Sequence, residues 1–131
     1  MKKPTQILVV EDNEDLRHIL VLRLRHGEGV VVREATTGHE ALQCIVQAPP
    51  DLVLLDLQLP LLDGWETARR IRALPAPLNA LPLIAVTASV GLEDLAKALA
   101  AGCNEFITKP VEFRALHATL HRVLARRGKP A

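Results

Sequence analysis

Five polar residues stand where apolar runs stop. Glu11 and Asp12 follow Ile7-Leu8-Val9-Val10, Asp56 follows Leu52-Val53-Leu54-Leu55, Thr87 follows Leu83-Ile84-Ala85-Val86, and Lys109 follows Phe106-Ile107-Thr108. If the runs are strands that share one edge, three carboxylates meet there, repel one another and need a counter-ion. A hard divalent cation answers that need, and magnesium fits best: it is held by one or two carboxylates, keeps several waters and accepts phosphate oxygens as ligands. An ammonium and a hydroxyl at the same edge add donors for phosphoryl oxygens. Asp56, at the end of the most apolar run, then takes a nucleophile's role, because a carboxylate can carry an aspartyl-phosphate intermediate.

The elements that must position these residues follow from periodicity. Leu52 to Leu55 has the composition of a strand buried on both faces, and Pro60 with Asp63-Gly64 turns the chain before a helix from Trp65. Upstream, Asn13 caps a helix with Leu16, Ile19, Leu20 and Leu24 at helical spacing, and Gly27 and Gly29 end it. Val30-Val31-Val32 is a second strand, and Thr37 to Glu40 forms a capping box for a helix carrying Ala41, Leu42, Ile45 and Val46. The helix from Trp65 points Ala68 and Ile71 inward and Arg69, Arg70 and Arg72 to water, and the proline-bearing stretch Leu74 to Pro82 is an irregular loop. Pro82 to Ala88 is a fourth strand, and a helix through Leu92, Leu95, Ala96, Leu99 and Ala100 runs to Gly102. A fifth strand spans about Glu105 to Thr108. The last helix carries Phe113, Leu116, Leu120, Val123 and Leu124 on one stripe. Five strand-helix units imply parallel pairing by right-handed crossovers, hence a three-layer α/β/α sandwich with ligands outside the carboxyl ends of the strands.

Composition bounds the rest. The 131 residues, 49% hydrophobic with two Phe and one Trp as the only aromatics, suffice for one domain with an aliphatic core from about 7 to 124 and short polar tails. Sixteen basic and fifteen acidic residues give a net charge of +1, which provides no field that draws the chain to nucleic acid or to an anionic membrane. Cys44 and Cys103 lack the density of a disulfide framework and read as reduced thiols. A polar start and the lack of any apolar run near about 18 residues predict a cytoplasmic protein with no membrane span.

The same motifs carry a family resemblance. Val9-Val10-Glu11-Asp12-Asn13, Leu54-Leu55-Asp56-Leu57-Gln58-Leu59-Pro60-Leu61-Leu62-Asp63-Gly64, Val86-Thr87-Ala88 and Phe106-Ile107-Thr108-Lys109-Pro110 resemble, in order and spacing, the receiver domain of two-component response regulators, in its chemotaxis-regulator-like single-domain form. The resemblance covers about Ile7 to Leu124 and implies a flavodoxin-like, five-stranded parallel sheet of order 2-1-3-4-5 with five helices. It implies that Asp56 accepts phosphate from the phosphohistidine of a sensor histidine kinase or histidine phosphotransfer protein. Asp12 and Asp56 would bind Mg2+ with the Gln58 backbone carbonyl, and Glu11 would assist through water. Thr87 and Lys109 would contact the phosphoryl oxygens. Thr87 and Phe106 would form the switch that alters affinity for a downstream effector, and Lys109-Pro110 would be a cis bond. The chain would be a signalling phosphoacceptor that catalyses at most its own phosphorylation and dephosphorylation. It departs from the family in placing Leu59 and Leu62 where methionines are common, and Gln58 and Ser89 occupy the positions that tune phosphate lifetime.

Other readings compete. A receiver cut from a hybrid histidine kinase or a larger response regulator would read identically over this span; the wording Ala101-Gly102-Cys103-Asn104 leans toward relay receivers and hybrid kinases. An aspartyl-nucleophile phosphatase of the haloacid dehalogenase type needs a second acid two residues after the nucleophile, where Gln58 stands. A nucleotide-binding domain needs a Gly-rich fingerprint or P-loop after Val10, and neither is there. His117 and His121 have the i, i+4 spacing of a helical metal pair but no third ligand, and read as surface or boundary histidines. Trp65 and Phe113 read as packing residues.

Overall fold

The computed structural model describes residues 3–25, 29–88 and 91–127. Five strands alternate with five helices: β1 Thr5–Val10, α1 Glu14–Arg25, β2 Val30–Ala35, α2 Gly38–Gln47, β3 Leu52–Asp56, α3 Gly64–Arg72, β4 Leu83–Thr87, α4 Leu92–Ala100, β5 Glu105–Thr108 and α5 Phe113–Arg126. The strands form one parallel sheet of order β2-β1-β3-β4-β5, the doubly wound arrangement expected. β3 lies at its centre. It pairs Leu55 with Val10 on β1 and Asp56 with Val86 on β4, while Thr87 pairs with Thr108 on β5, so the four strand ends lie side by side.

The apolar runs of β1, β3 and β4 are buried because both sheet faces are covered. One face holds Leu8, Val10, Val53, Leu55, Leu83 and Ala85 against α2, α3 and α4. The other holds Ile7, Val9, Leu52, Leu54 and Ile84 against α1 and α5. The period-2 alternation of side chains sends successive residues of one strand to opposite layers. The expected N-caps form, with Asn13 Oδ1 accepting from Leu16 N at 2.9 Å and Thr37 Oγ1 accepting from Glu40 N at 3.1 Å, but the return half of the Thr37–Glu40 capping box is replaced by the Thr36 hydroxyl donating to Glu40 Oε2 at 3.3 Å. α3 begins one residue earlier than expected because Asp63, whose Oδ1 accepts from Glu66 N at 2.8 Å, caps it at Gly64. Gly29 adopts a positive φ of 74°, and Gly27 lies outside the described residues.

Four expectations change in three dimensions. Arg72 does not face water: its guanidinium is drawn inward by the carbonyls of Gly102, Asn79 and Leu81 and by Asn104 Oδ1, at 2.6–3.0 Å. In α1, Ile19 is exposed and Val21 is buried, because the helix packs on the sheet through Leu20, Val21 and Leu24. In α4, Leu92 and Leu99 are largely exposed and Ala98 is the buried residue; Val46 of α2 is likewise exposed. The 74–82 connection is not wholly irregular, since Leu78–Ala80 forms a 3-10 turn next to a cis Ala76-Pro77 bond.

The remaining readings of single residues hold. Cys44 and Cys103 are free thiols, His117 and His121 lie on the exposed side of α5, and Leu59 and Leu62 are buried in the turn after β3. Trp65 and Phe113 pack against the two cores, each with a cation over its ring: Lys97 at 4.2 Å and Arg23 at 4.7 Å. Among the described residues no helix is long and apolar enough to cross a membrane.

Candidate functional site

Each site residue is delivered by the end of a strand. β1 hands over to Glu11, whose backbone N–H still bonds to Ala35 O on β2 at 3.0 Å. Asp56 ends the central strand, and its Oδ1 accepts the Gln58 N–H at 3.0 Å, which fixes the carboxylate against its own turn. Lys109 follows β5 and donates its backbone N–H to Thr87 O at 2.8 Å, so the lysine and threonine are joined through the main chain. The Lys109-Pro110 bond is cis.

The side chains meet as their spacing suggested. Glu11, Asp12 and Asp56 each offer a carboxylate oxygen, and these oxygens lie within 4.8 Å of one another. The Lys109 ammonium stands 3.2 Å from Glu11 Oε1 and 3.3 Å from Asp56 Oδ1. Glu11 and Asp56 are almost wholly buried, at 1% and 2% exposure, whereas Asp12 opens to solvent. Thr87 is fully buried at the end of the neighbouring strand.

One ammonium does not neutralise three acids. Burial, and next the charge of Asp56, push the Glu11 carboxyl up to about 7, with the Asn13 N–H and Lys109 offsetting only part of this. Burial alone would pull the Lys109 ammonium down, but the Asp56 and Glu11 carboxylates outweigh it and hold the ammonium above its ordinary value. The donor set is all oxygen and carries excess negative charge, with one acid open to solvent. Those properties fit a small, hard, partly hydrated cation and do not fit a soft one.

Backbone clearance at the site depends on a glycine whose role spacing alone did not specify. Gly64 donates its N–H to Leu57 O at 3.0 Å, and a Cβ built on it would run into Asp56 O and Leu57 Cα. The turn after β3 therefore folds back against the strand end only with glycine there. Between them, Leu61 is nine-tenths exposed and holds a left-handed φ of 68°.

Two expected contributors stand at the rim. Gln58 is exposed, and its Oε1 accepts the Ala88 N–H across the mouth of the site at 3.5 Å. Phe106, at 37% exposure, is turned partly outward, because it alternates with the buried Ile107 on an edge strand. Ser89 lies outside the described residues.

A doubly wound sheet with an acid cluster and a lysine at its carboxyl edge defines a class of phosphate-handling α/β domain. The sequence model of the response regulator receiver domain matches residues 7–121, and the chain belongs to that family. It is 37% identical over 123 residues to the transcriptional regulatory protein AfsQ1 of Streptomyces coelicolor, a match covering 94% of this chain and 52% of that protein. The chain thus spans about half the length of that regulator. Among solved structures, a putative response regulator from Chloroflexus aurantiacus superposes with a TM-score of 0.86 at 35% identity, covering 94% of this chain and 99% of that one. The receiver domain of the sensor histidine kinase PA1611 from Pseudomonas aeruginosa gives 0.85 at 32% identity over 93% and 98% of the two chains, and is described with a magnesium ion coordinated in its active site cleft.

Proposed function

We propose that the chain, over its whole 1–131 span, is one phosphoacceptor receiver unit in which Asp56 takes the phosphoryl group. The observation that carries this reading is the setting of Asp56: nearly buried, 3.3 Å from the Lys109 ammonium, and within 4.8 Å of two further carboxylates. Asp12, Asp56 and the Gln58 carbonyl would hold Mg2+, with Glu11 assisting through water; the ion supplies charge neutralisation for the transferring group. Asp56 Oδ attacks phosphorus as the P–N bond to the imidazole of a kinase or phosphotransfer protein breaks, or the P–O bond of a small donor such as acetyl phosphate. Positioning and charge neutralisation are what such a transfer chiefly requires. Lys109 stays beside the oxygens of the new acyl phosphate, and the Thr87 hydroxyl meets another.

The switch reading rests on position. Thr87 and Phe106 occupy neighbouring strands, and the surface next to them, formed by α4 and β5, already exposes Leu92, Leu99 and Phe106. Inward movement of Thr87 toward a phosphoryl group would leave space for the Phe106 ring, changing the shape offered to an effector. A phosphatase reading is disfavoured because Gln58, where a second acid would be needed, is an amide bonded to the Ala88 N–H.

Intact-mass measurement after incubation with acetyl phosphate tests the assignment. One phosphoryl addition is expected with Mg2+, little in chelator, and none in Asp56→Asn. Wild-type phosphorylation of Asp56→Asn at another residue would overturn it.

A further inference from the structure

Arg17 lies outside every motif of the site, yet its guanidinium reaches the backbone that carries the acidic pair. It projects from the first turn of α1, and its Nη1 donates to Glu11 O at 3.0 Å. Its Nε pairs with Glu34 Oε1 on β2 at 3.1 Å, with the Arg17 side chain only 17% exposed. The Glu11 carbonyl belongs to the peptide group that precedes Asp12, so Arg17 sets the plane from which Asp12 projects. The other side is fixed too: Asn13 N–H donates to Glu11 Oε2 at 3.1 Å, and Asn13 caps α1. Asp12 itself is exposed, so among the described residues its position is set chiefly by the backbone that carries it.

We propose that Arg17, braced by Glu34, is a positioning residue for the cation site, holding the Glu11–Asp12 peptide so that the exposed Asp12 carboxylate faces Asp56. This rests on the reading of the acid cluster as a Mg2+ site. The planar guanidinium is suited to the task because two of its N–H groups meet fixed acceptors on different elements at once, which a lysine ammonium on a flexible stem does not reproduce. Partners that orient metal ligands in this way commonly alter metal affinity by about tenfold or more when removed.

Charge and position have opposite signs here, which makes the proposal testable. As a positive charge near the acids, Arg17 opposes cation binding; as a brace, it favours it. Mg2+ titrations followed by the amide NMR shifts of residues 11–13 and 56 should therefore compare wild type with Arg17→Lys, which keeps the charge, Arg17→Ala, which removes it, and Glu34→Asp, which keeps the charge of the brace but shortens its reach by one methylene. The expected result is Mg2+ binding weakened on the order of tenfold in both Arg17 variants, with a smaller loss in the same direction for Glu34→Asp. Arg17→Lys combined with Glu34→Asp should bind no more weakly than Arg17→Lys alone. Unchanged affinity in Arg17→Lys with tighter binding in Arg17→Ala would show an effect of charge only and overturn the proposal, as would unchanged affinity in Glu34→Asp should the Arg17 variants fail to fold. Flat shifts in wild type would instead remove the Mg2+ reading itself.

Discussion

Replacing Asp56 by Asn should abolish phosphorylation and also stabilise the metal-free protein. At an effective dielectric of about 20, carboxylate oxygens 4.8 Å apart repel by about 3.5 kcal/mol, and Asp56 faces Glu11 at no more than that distance. Asp12 adds roughly 1 kcal/mol once solvent screening of an exposed group is allowed for. Against this, the Lys109 ammonium at 3.3 Å attracts Asp56 by about 5 kcal/mol on the same scale. The charge terms nearly cancel, so desolvation decides: a carboxylate with 2% exposure costs several kcal/mol to bury and an amide less. Asn also retains an acceptor for the Gln58 N–H. At pH 8, where Glu11 is ionised, a net gain of about 2 kcal/mol follows, or about 8 °C in Tm for a domain of this size.

The pH dependence sharpens the test. Glu11 is raised from 4.5 to about 7, so between those values the folded state holds a proton that the unfolded state has released. Stability therefore falls as pH rises through this window, by up to about 3 kcal/mol once both states are ionised. Asp56→Asn removes one of the causes of that rise, so its advantage over wild type should widen from pH 5 to pH 8. Urea denaturation in chelator at the two pH values measures it, and Mg2+ should narrow the gap by binding the wild-type fold. A variant less stable than wild type at pH 8 in chelator, or an advantage that shrinks as pH rises, would refute the electrostatic account.

Four further changes report on the frame around the site. Gly64→Ala forces a Cβ against the Asp56 and Leu57 backbone and should cost about 3 kcal/mol in urea unfolding while slowing phosphorylation by acetyl phosphate. Arg72→Ala leaves the Gly102 and Leu81 carbonyls without their charged donor and should cost about 2–4 kcal/mol, read from the same denaturation curves. Leu61→Gly relieves a left-handed conformation worth about 1–2 kcal/mol but adds unfolded-state entropy, for a net Tm rise equivalent to about 0.5–1 kcal/mol; a lower Tm would show that Leu61 is not strained. Glu105 is held below the usual carboxylate range, first by its hydrogen bond to Arg122 and also by Arg126, so its contribution is present above its ordinary value and lost as pH falls. Glu105→Gln should accordingly be less stable than wild type at pH 7, with the difference shrinking as pH falls below the ordinary carboxylate value.

Much of this molecule was legible because its local signals agree. Continuous aliphatic runs such as Leu52 to Leu55 specify buried parallel strands, and Asn13 and Thr37 mark helix starts by chemistry that acts over three residues. The positions of Glu11, Asp56, Thr87 and Lys109 at the ends of those runs anticipated the edge at which they meet. Helix faces were less legible. In α1 and α4 the helical period allows more apolar positions than the sheet can cover, so whether Ile19 or Val21, or Leu99 or Ala98, turns inward depends on the angle at which the helix crosses the strands.

The sequence by itself thus determined the alternation of strands and helices, the apolar interiors of the strands and the polar residues at their ends, because each depends on neighbours only a few positions away. The strand order came with the family motifs, and the paired strands carry it out. Only the tertiary structure decided the long-range polar ties: Arg72 to the α4–β5 connection, Arg33 to the carbonyls of Cys44 in α2 and of Ala48 just after it, and Arg17 between Glu11 and Glu34. An arginine on a helix or strand reads as a solvated charge until its reach is known. Its long side chain finds acceptors 6 to 32 residues away, on other elements, where the periodicity of its own element carries no information.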